Sequence, residues 1–311
     1  MAFARTLAAG QQCRIRVYEI ATGADIVVHT SDTILYEAPN WTAGNQLVLN
    51  GNGLLWSLPA DGSGNPELIA LEGVPELNND HVLAPDGKPA GKPAGEPAGK
   101  QDGKPSGQTV FLSANDGHIY QASLRGGPGR RITHESGRMH FLHGVSPDGT
   151  TLAYVSIENE QWTSGTLRTI GVDGAEDTAL TSGDGPDDGP EYDPAGDWIY
   201  FNTERFSSEP GHAQIARIRP DGTGLEQLTD DDHVNWFPHL SPDGGHAVYL
   251  SFPPGTTGHP ADLPVRLRLI SNDDWRNPAT IAELDGGQGT INVNSWSPDG
   301  TRFAYVDYPT R

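Results

Sequence analysis

The sequence predicts an all-β protein, and more narrowly a six-bladed β-propeller. Its 311 residues include 39 Gly and 25 Pro against 35% apolar residues, so turn formers punctuate the chain and long amphipathic helical runs are absent. A short unit recurs: HGVSPDGTTLAYVS at 143–156, PEYDPAGDWIYFNT at 190–203, PHLSPDGGHAVYLS at 238–251 and NSWSPDGTRFAYVD at 294–307. Aligned on the Pro of the S-P-D-G turn, with Ala43 standing in the first copy, the units fall at 43, 85, 147, 194, 242 and 298. The intervals are 42, 62, 47, 48 and 56, and the long one contains KPAGKPAGEPAGKQDGKPSG at 88–107, a low-complexity tract that cannot bury apolar surface. Without it that interval also falls to 42, the length of a four-stranded blade.

Each unit parses in the same order. A short strand ends in apolar-S-P, and D-G makes a tight turn in which Asp and Gly accept positive φ. An apolar-rich strand such as TLAYVS or WIYFNT follows, then a third such as AQIARIRP, a second D-G turn and a fourth ending like EQLT. Tyr154 in TLAYVS belongs to the blade core. The turn aspartates have a structural job and are not catalytic. The last unit stops at Tyr308 after two strands, while RIRVYEIATGADIVVHT near the start supplies the missing third and fourth. Residues 1–311 therefore read as one propeller domain whose N-terminal strands complete the C-terminal blade and protect its edges. The 88–107 tract reads as a loop insertion on the face opposite the channel mouth.

The charge of −21 comes from 41 acids and 20 bases, and the four Lys all lie within the low-complexity tract. Such a surface repels phosphate backbones and anionic lipids, so neither nucleic acid nor a membrane is expected as a partner. Cys13 is the lone cysteine, excluding an intrachain disulfide framework, and it reads as a small buried residue of a strand. No apolar run suits a secretory signal or a bilayer span, so a cytoplasmic location is expected. No G-x-S-x-G, Walker or G-x-G-x-x-G pattern supports serine hydrolase, nucleotide or dinucleotide chemistry.

The S-P-D-G units, the RPDGTG…QLT run at 219–229 and the ring closure resemble TolB-type β-propellers, a repeat shared with oligogalacturonate lyases and prolyl oligopeptidase-like propellers. The resemblance covers nearly the whole chain. It implies that the strand before S-P-D-G lines the central channel, running from the entrance face down to the D-G turn. That orientation puts the loops between second and third strands on the entrance face. His81, His143, His239, Glu191, Asn40 and Asn294 then stand three or four residues before the turn position, with Glu37, Asp80, His140, Asp187, Asp188 and Asn235 just above.

Three imidazoles and a carboxylate on one axis suit a divalent transition metal, so His81, His143, His239 and Glu191 are the candidate ligands for Mn, Fe, Ni or Zn. Replacing such a channel-facing ligand is expected to cost the fold little. A water-filled polar funnel is the competing reading, and a one-residue slip would turn any of these side chains away. Tyr36, Phe141, Trp162, Trp236, Phe237, Phe206 and Tyr308 supply aromatic character to the same face. Trp236 among polar neighbours, with Tyr36, Glu37, Asn235 and Asn294, suits a sugar or another small-molecule ligand. Arg138 and Arg205 are candidates to clamp a carboxylate, or else pair with local acids.

The resemblance to oligogalacturonate lyases implies a carbohydrate-active enzyme using metal-assisted β-elimination or hydrolysis on a small sugar or uronate, with His140 or Asp188 as base. Two rivals stand beside it. A calcium-dependent lactonase or phosphotriesterase-like hydrolase would use the oxygens of Glu37, Asn40, Glu191, Asn235 and Asn294. A non-catalytic binding or scaffold propeller needs no chemistry at the axis.

Overall fold

A computed structural model describes residues 4–85, 108–158, 161, 163–183 and 185–310; Trp162 and the whole 88–107 tract lie outside the described residues. Six antiparallel blades follow one another around a ring. The innermost strands of the first five are Tyr36–Trp41, Leu77–Leu83, Arg138–Val145, Asp187–Tyr192 and Val234–Leu240. Each pairs outward with an apolar second strand, for example Thr151–Glu158, then with a third and a fourth, the fourth being only two or three residues long except in the fifth blade, where it spans Ala279–Gly286. In the sixth blade Cys13–Glu19 pairs with Arg302–Asp307 on one side and Asp25–Ser31 on the other, so strands from both ends of the chain close the ring as the sequence predicts.

The sixth blade differs from expectation at its inner edge. Over 290–296 no regular strand forms, and the segment meets its neighbour through one bridge, Trp296 to Phe303, and the bonds Ala304 N to Ser295 O and Val306 N to Thr290 O, both 3.1 Å. Side chains take the backbone partners instead. Thr290 Oγ1 accepts from Gly287 N at 3.1 Å, Asn292 Oδ1 from Gly289 N at 2.7 Å and Asn294 Oδ1 from Trp296 N at 3.0 Å. Short polar side chains offer the backbone a local alternative to the ladder.

The turns are built as units. Ser146 Oγ donates to Asp148 Oδ1 at 2.5 Å and accepts from Thr151 N at 3.0 Å, and Ser241/Asp243 and Ser297/Asp299 repeat the arrangement. Positive φ falls on the glycines alone, at Gly149, Gly244 and Gly300, while the aspartates act through their carboxylates. The core lies between blades: Tyr154 packs with Phe111, Ile119, Leu142 and Leu152 across the second and third. Cys13 is fully buried, and burial pushes its thiol up to about 12, which removes it as a nucleophile.

Candidate functional site

The inner strands do not alternate cleanly, and this shapes the channel. All five carry a register shift, between Glu37/Asn40, Leu77/His81, Leu142/Gly144, Asp188/Glu191 and Trp236/His239. In three of them a residue with left-handed backbone precedes a proline: Ala38 (φ 52°), Gly189 (φ 65°) and Phe237 (φ 57°), followed by Pro39, Pro190 and Pro238. Positive φ at Ala and Phe is uncommon and costly, and such bulges cluster where side chains must be re-aimed. Positions three apart in a strand normally face opposite ways, yet both Asp188 and Glu191 reach groups on the axis. The A-P-N, G-P-E and F-P-H triplets were the sequence signal for this, since proline inside an inner strand marks a bulge.

Glycine sets the spacing at one inter-blade seam. A Cβ on Gly144 would come within 2.6 Å of Pro190 O and 3.3 Å of Glu191 Cα, so the glycine after His143 lets the third and fourth inner strands touch.

The channel carries two layers of polar groups. At the mouth, His143 Nε2 lies 3.2 Å from Asp188 Oδ1 while its Nδ1 donates to Asn292 O at 3.2 Å. Burial opposes the charge on His143, but Asp80 and Asp188 outweigh it and hold the imidazole up to about 9. Burial acts against the Asp188 anion too, and His143 still keeps that carboxyl below its ordinary value. His259 approaches the second oxygen of Asp188 at 3.7 Å, bonds Gln288 through Nδ1, and sits against Trp236 and Phe237 with ring centroids 4.4 and 5.1 Å away. Burial raises Asp80, whose carboxylate accepts from Asn78 Nδ2 at 2.8 Å. Burial likewise pushes Glu37 up to about 7 against the pull of Arg5, 3.1 Å away, and Asn79 Nδ2 is 3.4 Å from the same oxygen.

The deeper layer is a hydrogen-bonded network in which Asn40 Oδ1 stays unpartnered. Glu191 accepts from Leu240 N at 2.9 Å and Asn294 Nδ2 at 2.7 Å, and its other oxygen meets His239 Nδ1 at 2.6 Å. His239 Nε2 bonds Ile291 O, and Asn40 Nδ2 donates to Asn294 O at 2.5 Å.

The remaining sequence candidates sit elsewhere. His81 faces Val48 O at 3.3 Å, and burial lowers its imidazole to about 4. His140 donates to Gly117 O at 2.6 Å, stacks on His118 and lies against Tyr154 between the second and third blades, where burial lowers it to about 4. Asn235 is fully buried, bonded to Ser251 at 2.7 Å, Gln214 at 3.1 Å and Asp231 at 3.2 Å. Arg205 grips Asp187 with two bonds of 2.8 and 2.6 Å, and Arg138 meets Asp177 at 3.2 Å. Tyr36 packs edge-on against Trp56 and His29 in an apolar cluster, and Trp236 is 94% covered beside the mouth.

The expected metal set therefore does not converge. Both nitrogens of His143 and of His239 face protein acceptors rather than a shared point, and His81 points into a seam between blades. Among the described residues no group of three or more His, Cys, Asp or Glu is arranged to hold a metal. His259, which the expectation missed, comes from the entrance-face loop between the second and third strands of the fifth blade, where the orientation rule places such loops.

Fold and channel together define a class: a closed six-bladed propeller whose axis carries buried acids and histidines. No family model matches the chain. An uncharacterized protein of Agrobacterium fabrum, Atu1656, is 37% identical over 295 residues, 94% of this chain and 92% of that one. A solved Agrobacterium tumefaciens structure provisionally named TolB is 35% identical with a TM-score of 0.81, covering 96% of this chain and 99% of that one. The chain belongs to this family of TolB-like propellers. An oligogalacturonate lyase in complex with manganese shares the fold at 15% identity, with a TM-score of 0.54 over 96% of this chain and 78% of that one.

Proposed function

We propose that the protein binds a small, neutral, polyhydroxylated ligand of carbohydrate type at the entrance mouth, with Asp188 and His143 as the working pair. The arrangement that supports this reading is Asp188 between His143 and His259, with Trp236 and Phe237 alongside. Carboxylates bond sugar hydroxyls, and Trp236 and Phe237, themselves buried, hold the His259 and His143 rings beside Asp188. A uronate is less suited, because Arg138 and Arg205 already hold Asp177 and Asp187. A protonated imidazole beside an ionised carboxylate can give and take protons, so hydrolysis or elimination by general acid–base action is the chemistry this pair could perform. The residues present do not fit a resident metal.

Isothermal titration with neutral oligosaccharides and with oligogalacturonides, combined with product analysis with and without Mn, tests the reading. A neutral sugar should bind saturably, and Asp188→Asn should weaken it by about tenfold or more. Binding without turnover selects the scaffold rival that the likeness to TolB suggests. Unsaturated product from oligogalacturonides only with Mn would restore the metal-dependent lyase, and no binding by any neutral sugar would sink the proposal.

A further inference from the structure

The opposite end of the channel holds a second feature. All six copies of the repeat's turn position, Ala43, Pro85, Pro147, Pro194, Pro242 and Pro298, line one cavity of about 390 Å³. Trp41, Trp296 and Tyr192 add aromatic wall, and the floor carries Asn40 and Glu191. An apolar collar over a small polar floor is the general form of a small-molecule site, and the volume lies within the usual range for one.

The floor has a defined demand. Asn40 is 95% covered, and its Oδ1 has no hydrogen-bond partner. Its orientation is fixed, because Nδ2 donates to Asn294 O at 2.5 Å, and a flipped amide would set oxygen against oxygen. The orphan is thus a buried acceptor without a donor, linked through Asn294 to Glu191, whose own oxygens are already bonded by Leu240 N, Asn294 Nδ2 and His239. His143 also borders the space, but both its nitrogens are taken by Asn292 O and Asp188. A buried acceptor left unpaired is costly, and an ammonium group supplies both the donor and the charge that a carboxylate favours. The half-buried Tyr192 face suits the same cation, while Trp41 and Trp296 are buried, with Arg302 already over one face of Trp41.

We propose that this turn-face cavity is a binding site, separate from the entrance mouth, for a small aromatic amine whose ammonium group seats on Asn40 Oδ1 beside Glu191. The collar of prolines receives the flat apolar body. Ala43, where the proline is replaced, leaves a notch in the collar, and it is exposed to solvent, as are Pro194, Pro242 and Pro298.

Titration of the full chain with 2-phenylethylamine, 2-phenylethanol and 3-phenylpropionate, read by calorimetry and by the tryptophan indole NMR signals, tests this. The amine should saturate, the alcohol should bind about tenfold more weakly and the acid should not bind. Asn40→Ala should weaken the amine by about tenfold, while Ala43→Trp, an exposed substitution that leaves the floor intact, should abolish binding by filling the notch. Should Asn40→Ala fail to fold, Ala43→Trp carries the test. Equal binding of all three probes, amine binding indifferent to Ala43→Trp, or no saturation by the amine would each overturn the proposal, the last meaning that water alone satisfies Asn40.

Discussion

His140 and His143 stand three residues apart on one strand, both buried, and end in opposite states. His140 precedes the register shift and lies against His118 and Tyr154, where burial lowers its imidazole to about 4. His143 sits at the shift, between Leu142 and Gly144, where Asp80 and Asp188 outweigh burial and raise it to about 9. Sequence separation and burial are nearly the same. What differs is which distant blade supplies the neighbours: Asp80 comes from the second and Asp188 from the fourth. Burial on the blade side is a packing environment, and burial on the channel side is an electrostatic one.

The packing side should break hardest. Tyr154 is fully buried, and its hydroxyl donates to Asp177 at 2.6 Å. Tyr154→Ala should therefore cost about 4 kcal/mol in urea unfolding, from the cavity and the lost bond together. A cost under about 1 kcal/mol would mean that the blades repack around the gap.

The channel side should break less, and with a pH signature. The sequence suggested that losing His143 would cost the fold little, but its removal leaves Asp80 and Asp188 without the cation between them. His143→Ala should cost about 3 kcal/mol at pH 7. The folded imidazole titrates near 9, above the ordinary 6.5, so its contribution is complete below 6.5 and lost as pH rises through 9. The difference between wild type and variant should shrink accordingly in melts taken from pH 7 to 10. A difference that stays constant over that range would show that the ring merely fills space.

The smallest effect is expected from the low-complexity tract. Deleting 88–107 and joining Gly87 to Gln108 should change stability by less than about 1 kcal/mol, since a long loop contributes little beyond closure entropy. Pro85 and Gln108 both line the turn-face cavity, so the deletion also shortens a connection that starts and ends at that rim. A melting temperature lower by more than about 5 °C would show that the tract packs on the ring.

The repeat, the blade count, the closure of the ring and the buried Cys13 were legible in the sequence because each depends on local pattern: period-two strands, D-G turns and a spacing in the forties. The six aligned turn positions meeting around one cavity show how far that pattern reaches. Asp188, His143 and Glu191 were legible as axial residues for the same reason. His81, His140 and Asn235 face away from the axis because facing depends on register, and bulges at every regular inner strand shift register by amounts that alternation cannot reveal, while Arg138 and Arg205 took the alternative the sequence left open and pair with local acids. Only the tertiary structure brought His259 from an outer loop to Asp188, turned the expected metal ligands toward carbonyls and carboxylates of other blades, and left Asn40 with an acceptor unfilled. Side-chain partners on a propeller axis come from segments far apart in sequence, so local pattern specifies the blades while ring closure alone decides which charges meet.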